Sequence, residues 1–182
     1  MSPKPPDGPV SEKDASGPIW IAGAFHRDAW TTALKDEEIG TAPAIVSKAR
    51  WMAQRESLIA RGRPIGLRLE PGEALEDLAA DFPRFAIIAL SFPKYADGRA
   101  FSTAALLRDK YGYAGELRAV GNVLNDQIPL MRRVGFDSFE VSHGPTRAAL
   151  EAARLAEVTL HYQPSIRSEV TAGTRPWLRR TA

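Results

Sequence analysis

From Ala44 onward the chain repeats one layout: a short apolar run, a polar turn carrying Gly or Pro, and a segment whose apolar residues recur at helical spacing. Such alternation confines a chain to α/β folds, in which mainly parallel strands are joined by right-handed helical crossovers. Ala44-Ile45-Val46 leads into Ser47–Ala60, where Ser47 can cap a helix and Trp51, Met52, Leu58 and Ile59 form one stripe. Gly62 and Pro64 stop that helix, Ile65–Leu69 reads as a strand, and Glu73–Ala80 reads as a short helix. Phe85–Leu90 is apolar throughout, the pattern of a strand covered on both faces, and is assigned to the sheet centre.

The same alternation continues toward the carboxyl end. Ala100–Tyr111 reads as a helix with Ala104, Leu107 and Tyr111 inward, Glu116–Val120 as a strand, and Leu124, Ile128, Met131 and Val134 as one helical face. Pro129 lacks an N–H, so a regular helix there has to begin close to Ile128. Phe136–Val141 is the next strand, and Pro145–Glu157 a helix with Ala148, Ala152 and Leu155 inward. Leu160-His161-Tyr162 is either a last strand or the start of a tail, and residues 19–40 add an edge strand or a cover.

The expected architecture is a single α/β domain of about five mainly parallel strands with helices packed on the sheet. An open doubly wound sheet and an incomplete barrel both fit, whereas a complete eight-unit barrel normally needs about 200 residues or more, against 182 here. Residues 1–18, rich in Pro, read as a disordered leader, residues 19–160 as the domain, and residues 161–182 as a basic, flexible tail.

Composition removes several function classes. A formal net charge of +2 gives no case for nucleic acid, and no apolar run approaches the roughly 18 residues of a membrane span. The absence of cysteine excludes a thiol nucleophile, a redox disulfide and thiolate-held iron–sulfur clusters, and suits a cytoplasmic location. G-x-G-x-x-G after a strand, a Walker phosphate loop and a G-x-S-x-G elbow are all missing. The three histidines have no metal-ligand spacing, so neither metal nor cofactor is expected, although a flavin site needs no short signature.

In a parallel sheet or barrel the turns after the strand carboxyl ends open onto one edge, where ligands bind. The first such turn carries Lys94, Asp97, Gly98, Arg99 and Ser102, a set that suits an oxyanion: a guanidinium fork, a mobile ammonium, a hydroxyl and a glycine that permits close approach. The competing reading is that Asp97 caps the following helix, Arg99 pairs with it or with Glu116 or Glu140, and Lys94 is solvated. The second turn offers Asn122, Asn125, Asp126 and Gln127, with Arg118 on the preceding strand, either to orient a polar ligand or to cap a helix. At the third, Glu140 stands inside an apolar strand, with His143 after it. Glu140 is therefore either an ion-pair partner of Arg118 or Arg99, or a base with a shifted pKa.

Phe92–Ser102, Leu106-Leu107-Arg108, Tyr111-Gly112-Tyr113, Gly115–Leu124 with Asp126-Gln127, and Gly135–Glu140 together resemble the bacterial domain-of-unknown-function family 934. The resemblance runs over roughly Ala44–Glu140, with Phe92–Gln127 its most specific part; Asn122 stands where the family pattern has Asp. Family members carry the label of oxidoreductases involved in sulfite reduction. The resemblance thus implies a place in sulfite or sulfate assimilation, while six-electron reduction of sulfite calls for redox centres whose thiolate ligands this chain lacks. An accessory protein is the expectation: one that binds a small oxyanion or sulfur-assimilation intermediate, or docks on sulfite reductase or related enzymes. The alternative is a small enzyme using a flavin or no cofactor, with Asp126 or Glu140 as base and Lys94 or Arg99 stabilising negative charge.

Overall fold

The computed structural model describes residues 18–155 except 36 and 95, and within them eight strands form one sheet. The expected leader, the basic tail and the Leu160–Tyr162 segment lie outside the described residues, apart from Pro18. The strands are β1 (Ile19–Ile21), β2 (Ala24–His26), β3 (Thr31–Ala33), β4 (Ala44–Ser47), β5 (Ile65–Leu69), β6 (Phe85–Phe92), β7 (Glu116–Gly121) and β8 (Ser138–Glu140). Between and after them run α1 (Lys48–Ala60), α2 (Arg99–Asp109), α3 (Ile128–Arg133) and α4 (Gly144–Glu151).

Strand order is β2-β1-β8-β7-β6-β5-β4-β3. From β3 to β8 each strand lies parallel to its predecessor and directly beside it. Crossovers that always advance the same way, with one hand, set their helices on a single face, so the order never reverses as it must in a doubly wound sheet. The barrel-like alternative is therefore the one realised, as an open, curled half-barrel. The count of about five strands was short because residues 19–33 supply three more, with β1 antiparallel to both β8 and β2.

The chain length between the two edge strands sets the curl. Only Arg27, Asp28, Ala29 and Trp30 join β2 to β3, and an extended chain from His26 to Thr31 reaches at most about 18 Å. Eight strands laid flat would hold their edges about 34 Å apart. The sheet must bend round to bring its edges together, and residues 27–30 become a strap across its concave side.

The convex side is an apolar core. Val46, Leu67, Ile88, Leu90, Phe92, Leu117 and Phe139 point from the strands into Trp51 and Leu58 of α1, Leu107 of α2, Met131 of α3 and Leu150 of α4. Burial of each such side chain contributes about 1.5–3 kcal/mol before ordering costs. Ser47 caps α1 by accepting from the Arg50 N–H at 3.2 Å, as expected. The stripe on α1 is narrower than expected: Trp51 and Leu58 are buried while Met52 and Ile59 are exposed.

Elsewhere the helices are shorter than the pattern suggested. Glu73–Ala80 contains only a 3-10 turn at Glu76–Leu78, and regular helix after β7 begins at Ile128, where Pro129 is accommodated in the first turn. In α4 the inward residues are Thr146 and Leu150, while Ala148 and Ala152 are exposed. No helix among the described residues is long and apolar enough to cross a membrane.

Candidate functional site

The turn from β6 to α2 is closed on itself. The Arg99 guanidinium donates to Asp97 through Nε at 3.0 Å and Nη2 at 2.7 Å, and the Arg99 N–H reaches the same carboxylate at 3.2 Å. These hydrogen bonds from Arg99 hold the Asp97 carboxyl below its ordinary range. Arg99 also lies over the β5 turn, since a Cβ on Gly72 would stand 3.0 Å from its Nη1. Lys94, Gly98 and Ser102 are exposed, and Gly98 has an ordinary negative φ with open space around it. The structure thus brings Asp97 and Arg99 together as a pair, and an anion at this turn has to compete with the chain's own carboxylate.

The second and third turns are likewise tied by local contacts. Gly121 adopts φ +93° and its position abuts Phe92, where a Cβ would come within 2.7 Å of the carbonyl oxygen. That close approach lets the Asn122 N–H donate to the same oxygen at 2.8 Å, while the Asn122 side chain and Asp126 stay exposed. Gln127 stands at the position before α3 without a side-chain capping bond to the helix, and the Asn125 N–H donates to Thr146 Oγ1 at 3.2 Å. His143 caps α4, with Nδ1 accepting from the Thr146 N–H at 3.4 Å and lying 2.9 Å from its hydroxyl. Of the predicted residues, these turns leave Lys94, Ser102, Asn122 and Asp126 facing solvent rather than converging on one point.

Arg118 and Glu140 converge elsewhere, on the concave face. Strand alternation places Arg68, Ala89, Arg118 and Ser138 in one row across β5–β8, with Glu140 two positions beyond Ser138 on the same face. Arg118, only 3% exposed, donates to Asp28 of the strap at 2.7 Å and to Glu116 at 3.1 and 3.2 Å. Ser138 joins this group, receiving Arg118 Nε at 3.3 Å and donating to Glu116. Around the row, Ile45 and Ile87 on one side, Ala89 within it and Val120 on the other form a small apolar patch against Trp30, whose backbone N–H donates to Asp28. Gly66 is needed here for space, because a Cβ would press within 2.9 Å of Ile45 and collide with Ile87.

Glu140 makes no ion pair with Arg118 or Arg99, since both guanidiniums hold other carboxylates. Among the described residues it has no hydrogen-bonded side-chain partner at all. Burial pushes its carboxyl above the ordinary range, opposed by the charges of Arg118 and then Arg68, and reinforced by Asp28. Arg68 approaches from β5: Nε donates to Glu70 at 2.9 Å and Nη2 to Ser91 at 3.2 Å. Its Nη1 has no hydrogen bond among the described residues.

Arg68, Ser91, Ser138 and Asp28 were not singled out from the sequence, and Glu116 was considered only as a partner for Arg99. Polar residues inside otherwise apolar strands, Arg68 in β5, Ser91 in β6, Glu116 beside Arg118 in β7 and Ser138 in β8, are the signal that would have found these four. Among the described residues no group of three or more His, Asp or Glu side chains could hold a metal ion.

The model of a bacterial protein family of unknown function, DUF934, matches residues 66–172. The chain belongs to DUF934. Of the concave-face residues, Arg68, Ser91, Glu116, Arg118, Ser138 and Glu140 lie inside the stretch that defines DUF934, whereas Asp28 and Trp30 of the strap precede it. No curated protein matches the chain.

Proposed function

We propose that this DUF934 protein is an accessory protein of sulfite and sulfate assimilation that binds a small oxyanion at the open side of its concave face, with Arg68 as the anchoring cation and Ser91 beside it. The observation that carries the site is the difference between three arginines. Arg99 is closed on Asp97 and Arg118 on Asp28 and Glu116, while Arg68 keeps Nη1 available next to a hydroxyl and the small Ala89. A guanidinium with a free edge binds a sulfur or phosphorus oxyanion through parallel N–H donors. The pathway rests on the resemblance of Phe92–Gln127 to proteins labelled for sulfite reduction.

Calorimetry with sulfate and sulfite tests the site. Wild type and Arg99→Ala should bind alike, and Arg68→Ala should lose binding by tenfold or more. Loss in Arg99→Ala with retention in Arg68→Ala would move the site back to the β6–α2 turn. A second reading, a small enzyme with Glu140 as its base, is favoured by the burial of that carboxylate. Flavin absorption in the purified protein would put this enzyme reading first.

A further inference from the structure

We infer that Arg68, Ser91 and Glu140 form one site that takes up its oxyanion together with one proton, with Glu140 in the acid form donating a hydrogen bond to the bound anion. This rests on the oxyanion reading above and adds the group that makes binding depend on pH.

Geometry comes first. Arg68 on β5 and Arg118 on β7 flank Ala89 of β6 in register, about 10 Å apart across two strand spacings, with only a methyl group between their Cα positions. Glu140 stands one step further along the same face on β8, toward the strand carboxyl ends. Facing it are Arg118 from β7, with Glu116 behind; Ser91 from β6; Arg68 from β5, with Glu70 behind; and Asp28 from the strap. On its other side β1 presents Ile19, with His26 of β2 beyond. Two cations and one carboxylate act directly on Glu140, yet the guanidiniums donate to Asp28, Glu116, Glu70 and Ser91 rather than to it.

An anion arriving at Arg68 meets a carboxylate on the opposite side of the gap. Two like charges in a half-buried site repel, and the cheapest relief is protonation of the group already disfavoured as an anion by burial. The acid form has a hydroxyl to donate, so a repulsive contact becomes a hydrogen bond to the ligand. Water supplies the proton on binding and receives it on release. The ligand class is accordingly a small oxyanion with oxygens on two sides, one set for the Arg68 fork and Ser91, another for the Glu140 hydroxyl.

The binding linkage follows in sign. Above the pH at which Glu140 titrates in the free protein, affinity should fall about tenfold per pH unit; below it, affinity should be flat. Sulfate, which does not change its own charge near neutrality, is the probe. Sulfate titrated into unbuffered protein on a pH-stat above that point should take up close to one proton per anion bound. Glu140→Gln keeps the shape and carries an amide donor, so it should bind sulfate at alkaline pH at least tenfold more tightly than wild type and take up no proton. Sulfate binding without proton uptake in wild type, or the same pH dependence in Glu140→Gln, would overturn the inference and leave the Arg68 site standing. Failure of wild type to bind sulfate at any pH would instead remove the oxyanion reading itself.

Discussion

Asp81 is buried and Glu140 half-buried, and their environments push the two carboxyls in opposite directions. Asp81, on the helix side of the sheet, accepts from Trp51 Nε1 at 2.9 Å and from Arg55 through Nε at 2.9 Å and Nη2 at 2.6 Å, with Arg84 at 3.4 Å. Hydrogen bonds from Arg55 hold its carboxyl below the ordinary range despite burial. Glu140, on the concave side, is half-buried without such donors, and desolvation wins. The difference shows that burial alone does not set the direction; the donors that accompany it do. A fully satisfied carboxylate is scaffolding, and one left open in a concavity is where a ligand or a proton can act.

Breaking the satisfied member should have the largest effect. In Asp81→Asn the charge that Arg55 and Arg84 answer is gone and Trp51 keeps at most one acceptor, but both arginines are about half exposed and can turn to water, so unfolding free energy at pH 7 should fall by about 1 kcal/mol. Urea denaturation measures it. The folded-state carboxyl is held low, so this stability is fully present above the unfolded pKa and is lost as pH falls through the folded one. The deficit of Asp81→Asn should therefore shrink in acid. An unchanged midpoint at pH 7 would show that the pair is merely decorative and would dissolve the contrast with Glu140.

Glu140→Gln should act with the opposite sign. A raised folded-state pKa means that the native protein binds the proton more tightly than the unfolded chain, so stability declines as pH rises from the unfolded pKa through the folded one. The amide has no such decline. Below the unfolded pKa the two proteins should match, and at pH 8 the variant should be the more stable by about 0.5 kcal/mol, at the small end of single-residue effects. A variant less stable than wild type at pH 8 would mean that Glu140 is held by donors after all.

How much of this was legible in the chain depended on whether a cause is local. Strands β4 to β8 and the start of α3 at Ile128, just before Pro129, follow from apolar runs, caps and proline chemistry carried by neighbouring residues. The choice of the half-barrel over a doubly wound sheet did not, because it depends on strand order and on how few residues join β2 to β3, and both emerge only once three-residue strands pair across the chain. The site divided along the same line. Asp97 with Arg99 is a contact two residues apart and was visible as a capping alternative. Arg118 with Asp28 spans 90 positions, and no periodicity could announce it. Once Asp28 occupies Arg118, Glu140 is left without the partner that its sequence context suggested.

Arg68→Ala gives the smallest effect on the protein and the finest test of the contrast. Arg68 is partly exposed and pairs with an exposed Glu70, so its loss should change stability by no more than about 0.5 kcal/mol. It nevertheless removes one of the two cations that oppose the effect of burial on Glu140, the lesser of them after Arg118. The Glu140 titration, followed by the carboxyl carbon resonance in NMR, should move further up in Arg68→Ala and leave Asp81, on the other side of the sheet, where it was. A downward or absent shift would mean that Arg68 does not act on Glu140 across the concave face, which would then hold two separate polar groups instead of one site.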